Sequence, residues 1–249
     1  SLTLFYRSDF LFCMDFFIYT KYFTLSIMEY IKRFFIVIGL FLLSQIGMFT
    51  YGTLKQSSLQ VGQGTMPLLS TLILIVIFIM NIGLLFVLAN KLELLNFDSK
   101  FLNKKNILII VIGVVIARLV AILGTILLNN QGIDSTANDA AINNLFTGEN
   151  PLLIILILGI SAPIMEEIVF RAGIIGYFLK DWPILGIALS SISFGLVHGP
   201  TDIISFFIYA LIGLVLSIAY FKTSRLEVSI LIHFFNNLIP AIVIAFGLM

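Results

Sequence analysis

Long apolar runs closed by short polar stretches set the pattern of this chain. Seven of them reach or approach membrane length: residues 34–52, 67–90, 106–128, 151–179, 184–199, 201–221 and 226–248. Crossing a hydrocarbon core takes about 20 apolar residues. Lipid offers no partners for open backbone groups, so each run is predicted to be a helix. The polar stretches orient the set. Lys32 and Arg33 precede the first run, and Lys91, Lys100, Lys104 and Lys105 lie between the second and third. Lys180 follows the fourth, and Lys222 and Arg225 separate the sixth and seventh. The alternate stretches carry Lys55 alone, or the acids Asp134, Asp139 and Glu149. An excess of Lys and Arg marks the cytoplasmic side, which puts the N-terminus inside and the C-terminus outside. The expected fold is all-α: a polytopic membrane helix bundle of about seven transmembrane helices, built as a single transmembrane domain over 28–249.

Composition agrees with that class. Of 249 residues, 60% are hydrophobic and 11% charged, against about a quarter charged in a soluble domain. The net charge of +1 gives no basic excess for nucleic acid or for a polybasic lipid-binding tail. The single cysteine, Cys13, excludes an internal disulfide and a thiolate metal cluster. Chemistry is left to carboxylate, imidazole, amide and hydroxyl groups. A bias toward Ile, Phe, Lys and Asn suggests a bacterium, and so a cytoplasmic-membrane location.

Two stretches stand apart. Residues 1–27 are aromatic but interrupted by Arg7, Asp9, Asp15 and Lys21, and they lack the order of a secretory signal. They read either as an upstream extension or as an interfacial amphipathic segment. Residues 129–150 are polar, Asn-rich and acidic, and are expected to form an external loop rather than a lid. Trp182 and Tyr177 suit an interfacial belt.

Ions inside the fourth run need a cause. In "PIMEEIVFRAG", Glu166, Glu167 and Arg171 sit where a charge costs about 2.5–3.5 kcal/mol on insertion scales. Arg171 follows Glu167 by four residues, the favourable order for a helical ion pair. Glu166 lies about 100° around the helix from Glu167. The pairing therefore predicts Glu167 and Arg171 as structure and Glu166 turned toward something else. Pro163, one turn earlier, is expected to bend the helix. Arg118, in the middle of the third run, could be a counter-ion for the glutamates, snorkel or line a water pocket; structural support is the expected role.

Both histidines of the chain fall in later runs. Phe194 and His198 are four apart, as are His233 and Asn237, with Pro240 beyond. Residues at i and i+4 share a helix face, so His233 and Asn237 can present an imidazole and an amide together. Phe194 then serves as a shelf for His198. Asn236 reads as packing or as support for its neighbours.

These residues resemble the motifs of the CPBP intramembrane proteases, a family that includes CAAX prenyl endopeptidases and bacterial abortive-infection and bacteriocin-immunity-like proteins. EExxxR is found at Glu166, Glu167 and Arg171, FxxxH at Phe194 and His198, and HxxxN at His233 and Asn237. The resemblance covers about 150–245, a protease-like core; the first half matches only as membrane helices. It implies a membrane-embedded endopeptidase acting on a membrane-associated protein or peptide. Glu166 would be the base, His198 would help activate a water, and His233 with Asn237 would donate to the oxyanion. The resemblance also raises a metalloendopeptidase, since Glu166, His198 and His233 are a donor set for zinc. The HExxH helix is absent, however, and a water activated directly by Glu166 and His198 is the preferred mechanism.

Two other classes compete. One is a non-catalytic protein that binds a peptide toxin for self-immunity. The other is a proton-coupled transporter, since Glu and His also build proton relays; the missing internal repeat argues against it.

Overall fold

The computed structural model describes residues 27–95 and 101–248. The extension or interfacial segment read from residues 1–27 lies outside them, apart from Ile27. Among the described residues eight helices carry the fold: α1 (Ile27–Gln60), α2 (Leu68–Lys91), α3 (Lys104–Asn129), α4 (Ala137–Phe146), α5 (Pro151–Phe178), α6 (Pro183–Val197), α7 (Ile203–Thr223) and α8 (Leu226–Phe246). Six are long and apolar enough to cross a membrane, and α6 is a shorter apolar helix. With α6 counted, the seven predicted runs are all present as helices.

Two boundaries differ from the sequence expectation. α1 turns at Gln45 and runs on to Gln60, so Lys55 is helical rather than in a loop. The stretch 129–150 also holds a helix of its own, α4. Thr136 caps it by accepting from the Asp139 amide at 3.0 Å, which satisfies one of the open donors of its first turn.

α5 is the central helix. More than half (56%) of its most apolar window is buried, more than in any other span. It packs against α6, α8 and α2, while α7 lies against α6 and α3. Helices in lipid gain little from apolar contact alone, so close backbone approach matters. At Gly124 of α3 an added β-carbon would stand 2.2 Å from Ile208 Cγ1 of α7, so glycine sets how closely these helices meet.

The far half of α1 anchors the end of α4. Tyr51 stacks on Phe146 with centroids 4.5 Å apart and donates to the Leu145 carbonyl at 2.7 Å. Beside it, buried Lys55 pairs with buried Glu149. At the other end of α1, Arg33 reaches Asp181 in the α5–α6 turn at 2.9 Å. Tyr30 joins the same cluster, receiving the Trp182 indole at 3.2 Å.

Candidate active site

The backbone of α5 departs from α-helix on both sides of the glutamates. Residues Ile155–Ser161 and Ile168–Phe178 are π-helical, with Ala162–Glu167 as the α-helical turn between them. Pro163 lies in the first turn of that piece. π segments leave the regular hydrogen-bond ladder and are frequent at functional positions. The two glutamates are thus held where the helix changes pitch.

Glu167 is fully buried. Its Oε1 accepts from Arg171 Nη1 at 2.9 Å and from His233 Nδ1, also at 2.9 Å. Arg171, fully buried too, donates from Nη2 to the Gly213 carbonyl of α7 at 3.0 Å. Its guanidinium carbon lies 4.6 Å from the Phe194 ring centroid. A cation over an aromatic face is attracted by the ring quadrupole. One buried ion pair thereby ties α5 to α7 and α8, with Phe194 of α6 packed over the cation. Gly213 permits that approach, for a β-carbon there would lie 3.1 Å from Phe194 Cβ.

Glu166 is turned differently. Its side chain is 25% exposed and lines a cavity of about 300 Å³. Its Oε2 is buried without a hydrogen-bond partner among the described residues and stands 3.8 Å from His233 Nε2. With Nδ1 engaged by Glu167, His233 faces Glu166 through Nε2.

His198 ends α6. Its Nδ1 donates to the Phe194 carbonyl at 2.6 Å. The ring lies 4.6 Å from Phe194 and is stacked at 4.2 Å, nearly parallel, on Tyr209 of α7. His233 closes the aromatic group, 5.6 Å from Phe194 on the other side.

The cavity wall brings some of the sequence-derived residues together and not others. Glu166, Asn237 and Arg118 share it with Asn236, Tyr209 and Asp139. His198 and His233 do not line it; they stand behind Tyr209 and Glu166. Arg118 Nε donates to Asn236 Oδ1 at 2.9 Å, and Asn236 Nδ2 to Asn237 Oδ1 at 3.2 Å. Asn237 Nδ2 reaches the Leu158 carbonyl only at 3.5 Å, the limit of a hydrogen bond, and so is free to serve a better acceptor.

Zinc would need its donors to converge within about 2.0–2.2 Å of one point. Among the described residues no three His, Cys, Asp or Glu side chains gather closely enough to hold an ion. Glu166, His198 and His233 thus do not fit a three-ligand centre in this arrangement.

Sequence reading did not single out Tyr209. Its hydroxyl donates to Asp139 at 2.9 Å, accepts from Asn138 at 3.2 Å and meets the Thr136 hydroxyl at 2.8 Å. These are three residues at the start of α4, which forms part of the cavity wall. The Thr136 to Asp139 spacing is a helix-start signal and was the available clue to α4.

Comparison with known proteins meets the same residues. Residues 148–239 match the model of the Rce1-like family, type II CAAX prenyl endopeptidases. All three motifs fall within that match, and the resemblance to the CPBP intramembrane proteases is thereby shown. The chain is also similar to UPF0177 protein YvdC of Lactococcus lactis subsp. lactis (strain IL1403), 28% identical over 178 residues, or 70% of this chain. That match spans just under two thirds of the relative's length, 66%. No solved structure matches. The chain is a multi-pass membrane protein whose residues 148–239 are similar to the Rce1-like family of type II CAAX prenyl endopeptidases.

Proposed function

We propose that the protein is an intramembrane endopeptidase in which Glu166 activates water at the cavity between α3, α5, α7 and α8. Glu166 takes a proton from water as the oxygen attacks a peptide carbonyl. The resulting oxyanion receives hydrogen bonds from Asn237 Nδ2 and the Arg118 guanidinium. The proton on Glu166 then passes to the leaving amine as the C–N bond breaks. His233 stands behind the carboxylate as its support, oriented by Glu167, and His198 flanks the site on the Tyr209 side. In this reading Arg118 takes the donor role that the motif pattern implies for His233, whose Nδ1–H is already engaged by Glu167.

The observation that carries this reading is the meeting of a carboxylate, an amide and a guanidinium, from three helices, on one cavity wall. Oxyanion donors preset in a water-poor site are commonly worth about 3–4 kcal/mol each, enough to justify the polar groups there. The substrate is a membrane-associated peptide or protein, and the setting is a bacterial cytoplasmic membrane.

The test uses the full chain in lipid nanodiscs with a quenched-fluorescence peptide library carrying an N-terminal lipid anchor. Wild type is expected to cleave members of the library, and Glu166→Gln to be slower by about 10²–10⁴-fold at unchanged thermal stability. Equal rates in the two proteins would remove Glu166 from the chemistry. Tight binding of peptides with no cleavage would favour the self-immunity type of binding protein instead.

A further inference from the structure

Tyr209 is the residue on which the cover of the cavity and the imidazole of His198 meet. Its phenol uses its full hydrogen-bonding capacity. The carboxylate of Asp139 only accepts, so the phenol proton goes there at 2.9 Å. The Asn138 amide and the Thr136 hydroxyl must then donate to the phenol oxygen, at 3.2 and 2.8 Å. Thr136 in turn accepts from the Asp139 backbone amide at 3.0 Å, so the start of α4 is closed around one hydroxyl. The other end of the side chain is equally committed. The ring is stacked on His198 at 4.2 Å with 14° between planes, closer than the roughly 4.5–7 Å usual between aromatic centroids. Gly199, next in the chain, has φ +59° and turns the backbone away from α6 at that point. His198 is therefore positioned from three sides, by the Phe194 ring, the Phe194 carbonyl and the Tyr209 ring.

Both halves of Tyr209 belong to one rigid group. A motion of α4 that breaks the bonds to Asp139, Asn138 and Thr136 frees the phenol, and a phenol that swings carries the ring off His198. Asp139 and Tyr209 line the cavity that Glu166 also lines, so the joint and the carboxylate face the same space.

We propose that Tyr209 is a positioning residue that couples the α4 lid to His198: its hydroxyl latches the lid over the cavity and its ring holds the imidazole, so that admitting a peptide and releasing the imidazole are linked. The inference rests on the proposed hydrolysis only for what passes the lid.

Three measurements on the full chain in nanodiscs test it. Cys13 is the chain's single cysteine, so a Cys13→Ser background with Ala121→Cys places one thiol on the cavity wall. Tyr209→Phe removes the latch and keeps the ring, and should raise the maleimide labelling rate of that thiol about tenfold. With only two histidines in the chain, isotope-labelled histidine gives two imidazole signals, assigned by His233→Gln. The His198 ring protons should keep their upfield ring-current displacement in Tyr209→Phe and lose it in Tyr209→Leu. For the anchored peptides, Tyr209→Phe should alter KM more than kcat, and Tyr209→Leu should lower kcat about tenfold or more.

The proposal requires both the labelling change and the resonance change; absence of either overturns it. If both appear while no variant, wild type included, cleaves any peptide, the coupling stands and the hydrolytic reading fails.

Discussion

His233 and Glu167 are joined through Nδ1 and Oε1 at 2.9 Å, on the same oxygen that receives Arg171 Nη1. A carboxylate that serves an arginine and an imidazole at once fixes α8 to α5. Losing one partner of a buried pair leaves a charge uncompensated, at a cost of about 3–5 kcal/mol. Glu167→Gln is therefore expected to lower unfolding stability in detergent by about that much. Glu166→Gln, whose side chain makes no hydrogen bond among the described residues, should change it by less than about 1 kcal/mol. Equal losses in the two variants would contradict the division of roles between the neighbouring glutamates.

Arg118 offers a second separation. Its Nε is spent on Asn236, and its guanidinium lines the cavity. As an oxyanion donor it should contribute mainly to kcat, by about 10²–10³-fold. Arg118→Gln measured with the anchored peptides should show that loss with KM nearly unchanged. A fall in thermal stability with kcat intact would make it a packing residue.

Lys55 and Glu149 form a second buried ion pair, away from the glutamates of α5. Lys55 also donates to the Gly64 carbonyl at 2.9 Å, and Glu149 accepts from the Met66 amide at 3.3 Å. Glu149 lies between α4 and α5, so the pair holds the far end of the lid. Glu149→Gln is expected to destabilise by about 3–5 kcal/mol, and the Lys55→Met, Glu149→Leu double variant to recover most of it. Unfolding of the double-mutant cycle in detergent checks this.

Asp181, in the exposed α5–α6 turn, gives a pH dependence of known sign. The hydrogen bond from Arg33 is the largest influence on it and holds its carboxyl below the usual aspartate range. A depressed carboxylate adds stability above its unfolded value, near 3.9, and loses it as pH falls through its folded value. The melting temperature of wild type should exceed that of Asp181→Asn at pH 6, and the gap should close below about pH 4. A gap that widens with acid would refute the assignment.

Hydropathy made the spans legible because lipid forces helix on any long apolar run. It was silent where polar sequence is helical. "TLKQSSLQ" at 53–60 continues α1 beyond its apolar part, and "ANDAAINNLF" forms α4. Spacing was informative about contacts within one helix, as for Glu167 with Arg171. It said less about contacts across helices, because depth along a helix does not fix rotation about it. Hence Glu166 and Asn237 reach the cavity wall while His198 and His233 stand behind it. Tyr209 was invisible for a related reason: one tyrosine in an apolar helix looks like packing until its partners on α4 are known.

The brevity of α6 has a consequence for the surrounding lipid. Fifteen residues rise about 22 Å, short of a hydrocarbon layer roughly 30 Å deep. If α6 starts at one interface, the polar turn at His198, Gly199 and Asp202 falls short of the opposite headgroups, a mismatch that local thinning of the bilayer would meet. Such a dimple would carry the aqueous phase down beside the proposed site, and would let a chain segment resting at the membrane surface arrive there without being dragged through oil.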